Sequence, residues 1–171
     1  MSFETQSVAT RSGTAQLNGP SIEVGATAPD FTVIGNDTKP VTLSSFRGKK
    51  VVIVSVPSLD TPTCDLETRR FNQEAANLGA DIEILVVSVD LPFAQKRWCG
   101  AAGVERVRTL SDHKDLSFGT VFGVVIPAQR LLARAVFIVD RNGKLAYRQL
   151  VEPMGNEPDY DAVLNALKLI G

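Results

Sequence analysis

The sequence predicts an α/β fold, a central mixed β-sheet flanked by helices, with an N-terminal β-hairpin or arm in front. Three observations carry that prediction. Val51-Val52-Ile53-Val54-Ser55-Val56 is β-branched and apolar at nearly every position, the pattern of a strand covered on both faces. Residues 62 to 78 follow with helical periodicity, and Ile82 to Val89 is a second buried strand. Strand, helix, strand in that order is a βαβ unit, so the two strands run parallel.

The other elements follow in chain order. Residues 1 to 25 are rich in Ser, Thr and Gly and alternate weakly at Ala15, Leu17, Ile22 and Val24, which suits a hairpin or arm. Pro29 to Ile34 and Val41 to Leu43 read as short strands around the turn Gly35-Asn36-Asp37. Beyond the βαβ unit, a short helix covers Phe93 to Ala101 and a strand piece covers Val107 to Leu110. Ala135-Val136-Phe137-Ile138-Val139 is a third buried run. It ends at Asp140-Arg141-Asn142-Gly143, whose Asn-Gly marks a hairpin, and Lys144 to Val151 is the return strand. Pro158 to Ile170 closes the chain as an amphipathic helix with Val163, Leu164, Leu167 and Ile170 apolar. A βαβ unit, a helix, a β-hairpin and a helix make the thioredoxin-like layout, here with an N-terminal addition and an insertion before the hairpin.

Composition limits the possible functions. A chain of 171 residues suits one domain over residues 1–171. With 44% hydrophobic and 22% charged residues, it has ordinary globular composition. Eighteen Lys and Arg against 19 Asp and Glu leave a formal charge of −1, a poor basis for binding nucleic acid. No apolar run approaches the roughly 18 residues of a membrane-spanning helix, so no membrane insertion is expected. Met1 to Asn18 is polar and lacks the apolar core of a secretory signal, so a cytoplasmic, reducing location is expected.

The rare residues exclude more. Two cysteines, Cys64 and Cys99, and one histidine, His113, cannot build a four-ligand zinc site of the usual Cys/His type. There is no C-x-x-C, no G-x-S-x-G, no G-x-x-x-x-G-K-[ST] and no G-x-G-x-x-G. His113 lies in Ser-Asp-His-Lys-Asp and reads as a solvated loop or helix-start residue. In a reducing compartment a cysteine pair is more often catalytic or sensory than structural.

Cys64 is the reactive candidate. In Pro57-Ser58-Leu59-Asp60-Thr61-Pro62-Thr63-Cys64, Pro62 suits the first helical position and Thr61 the N-cap. Cys64 then falls in the first turn, where free N–H groups and partial positive charge favour an anion, and the thiolate is the nucleophile. At about 100° per residue, Cys64 shares a stripe with Thr68, Phe71, Ala75 and Leu78, so its sulfur faces the core at the mouth of a pocket. A cysteine heading such a stripe can also be a small apolar core residue. The Thr-Pro-Thr-Cys start at the carboxyl end of a central strand, where open α/β sheets bind ligands, favours the reactive reading.

Arg134 interrupts an apolar stretch from Leu131 to Val139 and opens the strand Arg134 to Val139. If that strand runs antiparallel to Val51–Val56, Arg134 reaches the helix start that carries Cys64 and can stabilise a thiolate there. The other reading is an arginine that snorkels at a strand end. Cys99 is placed differently. Ala94, Trp98 and Ala101 share a helical face, and Cys99 is expected well off it, more exposed, on a short helix weakened by Gly100. Cysteines on separate helices seldom approach within the roughly 7 Å between Cα atoms that a disulfide needs, so any reaction between them requires local unwinding.

Pro57 to Cys64 strongly resembles the active-site segment of peroxiredoxins, in detail that of the bacterial thiol peroxidase branch. Asp90-Leu91-Pro92-Phe93-Ala94-Gln95-Lys96-Arg97-Trp98-Cys99 is similar to that branch's resolving-cysteine segment, and Leu131-Leu132-Ala133-Arg134-Ala135-Val136 to its arginine segment. Ala28-Pro29-Asp30-Phe31 also matches, and the resemblance runs from about Val24 to the C-terminus. It implies a peroxiredoxin thioredoxin-like fold and reduction of hydroperoxides without metal, haem or flavin. It implies Cys64 as peroxidatic cysteine, with Thr61 holding the peroxide, Pro57 shielding the thiolate and Arg134 stabilising it. Cys99 becomes the resolving cysteine of the same chain, through a Cys64–Cys99 disulfide. The resemblance further implies thioredoxin as reductant, a homodimer, and organic or lipid hydroperoxides as preferred substrates. Arg130, in place of a small residue, and Val151-Glu152-Pro153-Met154 depart from the family wording. Two other classes stand beside this one, a dithiol reductase of thioredoxin fold and a non-enzymatic thiol redox sensor. A cysteine hydrolase would have only His113 as its base.

Overall fold

The computed structural model describes residues 6–170; of the arm expected over residues 1–25, residues 1–5 lie outside them. β1 (Gln6–Thr10) and β2 (Gly13–Leu17) pair antiparallel as that hairpin, burying Val8 and Leu17. The rest of the arm has no strand, with Ile22 buried and Val24 exposed. Then come β3 (Thr32–Ile34), β4 (Pro40–Thr42), β5 (Lys50–Ser55), α1 (Pro62–Ala75), β6 (Ile82–Ser88), α2 (Pro92–Ala102) and β7 (Arg108–Ser111). The chain continues through α3 (Ser117–Val121), β8 (Val125–Ile126), β9 (Leu131–Leu132), β10 (Ala135–Val139), β11 (Leu145–Leu150) and α4 (Tyr160–Leu169).

Seven strands form one mixed sheet in the order β11-β10-β5-β6-β7-β3-β4. β5, β6 and β7 run parallel, as the βαβ pattern requires, and β10 runs antiparallel to β5. Strand alternation divides the core into two layers. Val51, Ile53, Leu85, Val87 and Phe137 face one side, where the hairpin and α3 cover them. Val52, Val54, Ile84, Val86 and Ile138 face the other, against Cys64 and Phe71 of α1 and Val163 and Leu167 of α4. Burying each large apolar side chain is worth about 1.5–3 kcal/mol. Packing of this kind, more than local propensity, holds helices of ten to fourteen residues in place.

The structure differs from the sequence reading at several points. Helix α1 ends at Ala75 instead of residue 78, with Leu78 packed on the core from the following turn. The strand expected from Arg134 begins at Ala135, which leaves Arg134 in the link after β9. The insertion before the hairpin contains α3 and the β8–β9 pair, elements too short to show periodicity. Phe118 and Phe122 fix α3 by edge contacts with Phe31 and Phe137. A side chain at Gly19 would collide with the Thr120 carbonyl, so that glycine lets the arm lie directly against α3.

Candidate active site

The site forms where β5 ends and α1 begins. Pro62 takes the first helical position and Thr61 the N-cap position. The Thr61 hydroxyl does not cap the helix, however. It turns back and donates to the Ser58 carbonyl at 2.9 Å. The loop before the helix is tied down by a residue the sequence reading passed over. Asp90, just after β6, accepts from the Ser58 hydroxyl at 2.7 Å, the Leu59 N–H at 2.9 Å and the Ser88 hydroxyl at 2.7 Å. Asp90 thus couples the loop after β5 to the end of the neighbouring parallel strand.

Cys64 sits in the first turn of α1 with 0% of its surface exposed. Its stripe faces the core as the periodicity required, with Thr68 and Phe71 also buried. The antiparallel register sets Ala135 opposite Ser55, and this brings Arg134 to the thiol. Arg134 is itself buried, and its guanidinium makes three contacts. Nη2 donates to Cys64 Sγ at 3.2 Å, Nε donates to the Met154 carbonyl at 2.9 Å, and Nη1 donates to the Glu67 carboxylate. The snorkelling alternative for Arg134 does not hold.

Glu67 was not picked out from the sequence. Its signal was its place three residues after Cys64, on the same helical face. Burial pushes its carboxyl group up to about 7, and the attraction of Arg134 only partly opposes that rise. Burial pulls the Arg134 guanidinium down, but the charges of Glu67 and Cys64 push it further up, so it remains a cation. One Glu67 oxygen, Oε1, has no hydrogen-bond partner among the described residues.

A cavity of about 330 Å³ opens beside this cluster, lined by Pro57, Thr61, Thr63, Arg134, Met154 and Gly155 among others. Pro57 is buried in its wall. Thr63 donates to the Gly155 carbonyl at 3.1 Å and so holds the loop after β11 against the helix start. The structure therefore brings together four of the five residues singled out: Pro57, Thr61, Cys64 and Arg134.

The fifth, Cys99, lies elsewhere. It shares a face of α2 with the buried Gln95 and turns toward β7, where its sulfur is 3.2 Å from the Thr109 hydroxyl. Of the expected face, Trp98 packs on the core as anticipated and Ala94 is half-buried, but Ala101 is exposed; Cys99, expected off that face and more exposed, is half-buried on the side of the buried Gln95. Gln95 misled the periodicity, because its amide is satisfied inside by Ser88 and the Leu110 carbonyl. Both cysteines are free thiols. The helices that carry them touch through their neighbours, Trp98 Nε1 donating to Asp65 at 3.0 Å. His113 is half-buried in the turn after β7, where its carbonyl accepts from Arg130 at 2.9 Å. Among the described residues, no group of three or more His, Cys, Asp or Glu stands together as a metal site, and no helix is long and apolar enough to cross a membrane.

Residues 23–164 match the family described as Redoxin. The chain belongs to the redoxin family, in its thiol peroxidase branch. A thiol peroxidase of Halalkalibacterium halodurans is 54% identical over 152 residues, covering 89% of this chain and 91% of that protein. The thiol peroxidase of Bacillus subtilis is 49% identical over 160 residues, covering 94% and 95%. In three dimensions, a peroxiredoxin-like protein from Aquifex aeolicus superposes with a TM-score of 0.89 at 39% identity, over 95% of both chains. The structural match bears out the fold class expected from the sequence, a thioredoxin-like mixed sheet flanked by helices.

Proposed function

We propose that this redoxin is a thiol-dependent peroxidase that reduces hydrogen peroxide and organic or lipid hydroperoxides to water and alcohols. The observation that carries the proposal is the Cys64 thiol, buried in the first turn of α1 with the Arg134 guanidinium 3.2 Å from its sulfur. A guanidinium at that distance donates to a thiolate, and the thiolate is the form that attacks. The thiol peroxidase relatives support the same reaction.

The residues take the following roles. The Cys64 thiolate attacks the terminal oxygen of ROOH, an S–O bond forms, the O–O bond breaks, and RO⁻ takes up a proton and leaves as alcohol. Thr61 has committed its own proton to the Ser58 carbonyl, so its oxygen is free to accept the O–H of the peroxide. Arg134 meets the charge that develops on the oxygens. Pro57 walls the thiolate from bulk water. Cys64 is left as a sulfenic acid. Cys99 attacks that sulfur, water leaves, and a Cys64–Cys99 disulfide remains. An external dithiol, thioredoxin in this reading, reduces the disulfide by exchange. The enzyme acts as a single domain, in a homodimer, in the cytoplasm, and needs no bound cofactor.

The test is a comparison of two variants. Cys64→Ser should abolish peroxide consumption. Cys99→Ser should retain one turnover per chain, read as sulfenic acid by mass spectrometry, and lose thioredoxin-driven cycling. Normal turnover by Cys64→Ser would sink the assignment.

A further inference from the structure

The cavity beside Cys64 contains a second cation that the reaction above does not use. Arg11, in the turn between β1 and β2, is exposed and lines the same cavity as Thr61 and Arg134. Among the described residues, no acidic side chain lines that cavity and Arg11 has no ion-pair partner. Arg134 differs, since each of its three nitrogens already donates within the protein, which leaves it one further N–H on each Nη for the peroxide.

The position of Arg11 is built. The Ala9 N–H donates to a Glu152 carboxylate oxygen at 2.9 Å, and the Met154 N–H donates to the Ala9 carbonyl at 2.8 Å. These bonds fasten the hairpin to the loop after β11, whose Met154 carbonyl also receives Arg134. Gly155 leaves the space that the guanidinium fills: a Cβ there would lie 3.3 Å from Arg11 Nε. The lining thus combines the buried Arg134, the half-buried Thr61 and the apolar Pro57, Pro62 and Met154 with the exposed Arg11.

We propose that Arg11 makes this cavity selective for hydroperoxides that carry a carboxylate on an apolar chain, with the peroxide at Thr61 and Arg134 and the carboxylate at Arg11. The proposal rests on the peroxidase reading. A guanidinium binds a carboxylate through two parallel N–H···O bonds, and its charge survives at any physiological pH. An uncharged hydroperoxide gains nothing from it, so the contribution appears as discrimination between substrates and not as a general gain in rate.

The experiment compares linoleic acid hydroperoxide with its methyl ester, using dithiothreitol as reductant, in the full chain and in Arg11→Ala and Arg11→Lys. The acid-to-ester ratio of kcat/KM should fall about three- to tenfold in Arg11→Ala, the size of a partly exposed charged contact. Arg11→Lys should give a ratio between those of the wild type and Arg11→Ala, because it keeps the charge and loses the fork; a ratio as low as in Arg11→Ala would still support the carboxylate contact through its geometry. An unchanged ratio in Arg11→Ala, whether or not both rates fall together, overturns the role of Arg11 and leaves the peroxidase reading intact. Failure of the wild-type chain to turn over either probe overturns both.

Discussion

The two thiols of this chain occupy opposite kinds of surroundings. Cys64 is fully buried and is held by charge: a guanidinium on its sulfur, and a carboxylate on that guanidinium. Cys99 is half-buried and is held by neutral groups, Thr109 and Asn36. Their helices differ as well. α1 runs fourteen residues from a proline start and lays its stripe on the core. α2 runs eleven, contains Gly100, and ends at Gly103 in a left-handed conformation. The contrast suits a rigid nucleophile and a movable partner. A charged site must be preorganised to be effective, whereas a residue that has to travel should be held only by bonds that are cheap to break.

Removing the charge at Cys64 should have the largest effect. Arg134→Met takes away the partner of a buried carboxylate, and breaking a buried pair from one side costs about 3 kcal/mol or more. Urea denaturation should show that loss near pH 8 and a clearly smaller one near pH 5, where Glu67 carries its proton. The same variant should reduce peroxide by a factor of about 10² or more below wild type, the scale of losing one preorganised charge donor. An equal stability loss at both pH values would mean that Glu67 is not the group left stranded.

Glu67→Gln sharpens the same side of the comparison. The folded-state value of Glu67, about 7, lies above its ordinary 4.5. Between those values the folded chain binds more protons than the unfolded chain, so stability falls as pH rises through that window. The wild type has the full benefit below about 4.5 and has lost it above about 7. Glutamine cannot ionise, so the variant should show a flatter stability profile across this window, read from denaturation midpoints at several pH values. A slope unchanged from wild type would place the titration elsewhere.

The half of the site that rests on residue type was legible in the sequence. The run at Val51–Val56, the Thr-Pro-Thr-Cys start and the interruption at Arg134 led to four residues that do converge, on the condition, met in the structure, that β10 runs antiparallel to β5. The other half rests on groups that leave no such trace. Met154 contributes a backbone carbonyl from an irregular loop, and any residue supplies one. Glu67 is a charge on a buried stripe, which reads as a flaw in periodicity until its partner is seen. Gln95 has the same effect on α2, where a buried amide satisfied by Ser88 and the Leu110 carbonyl hides from the periodicity that Cys99 turns the same way. The β8–β9 pair has two residues per strand, below the length at which alternation can be read.

The smallest effect should come from the neutral surroundings of Cys99. The Thr109 hydroxyl donates to Asn36 Oδ1 at 3.1 Å, so its one proton is spent and its contact with the sulfur must be accepted from the Cys99 thiol. The Asn36 amide faces the same sulfur at 4.0 Å and closes the ring. Each member is satisfied while Cys99 is a thiol docked against β7, and the ring must open before Cys99 can reach Cys64. Thr109→Val keeps the shape and removes the hydroxyl. It should cost about 1 kcal/mol of stability and should speed disulfide formation after a peroxide pulse a few-fold. Trp98, the single tryptophan, is next to Cys99 and bonded to Asp65, so its fluorescence follows the step directly. A slower disulfide step in this variant would show that the ring presents Cys99 for reaction instead of restraining it, and the distinction between a fixed thiol and a releasable one would fail.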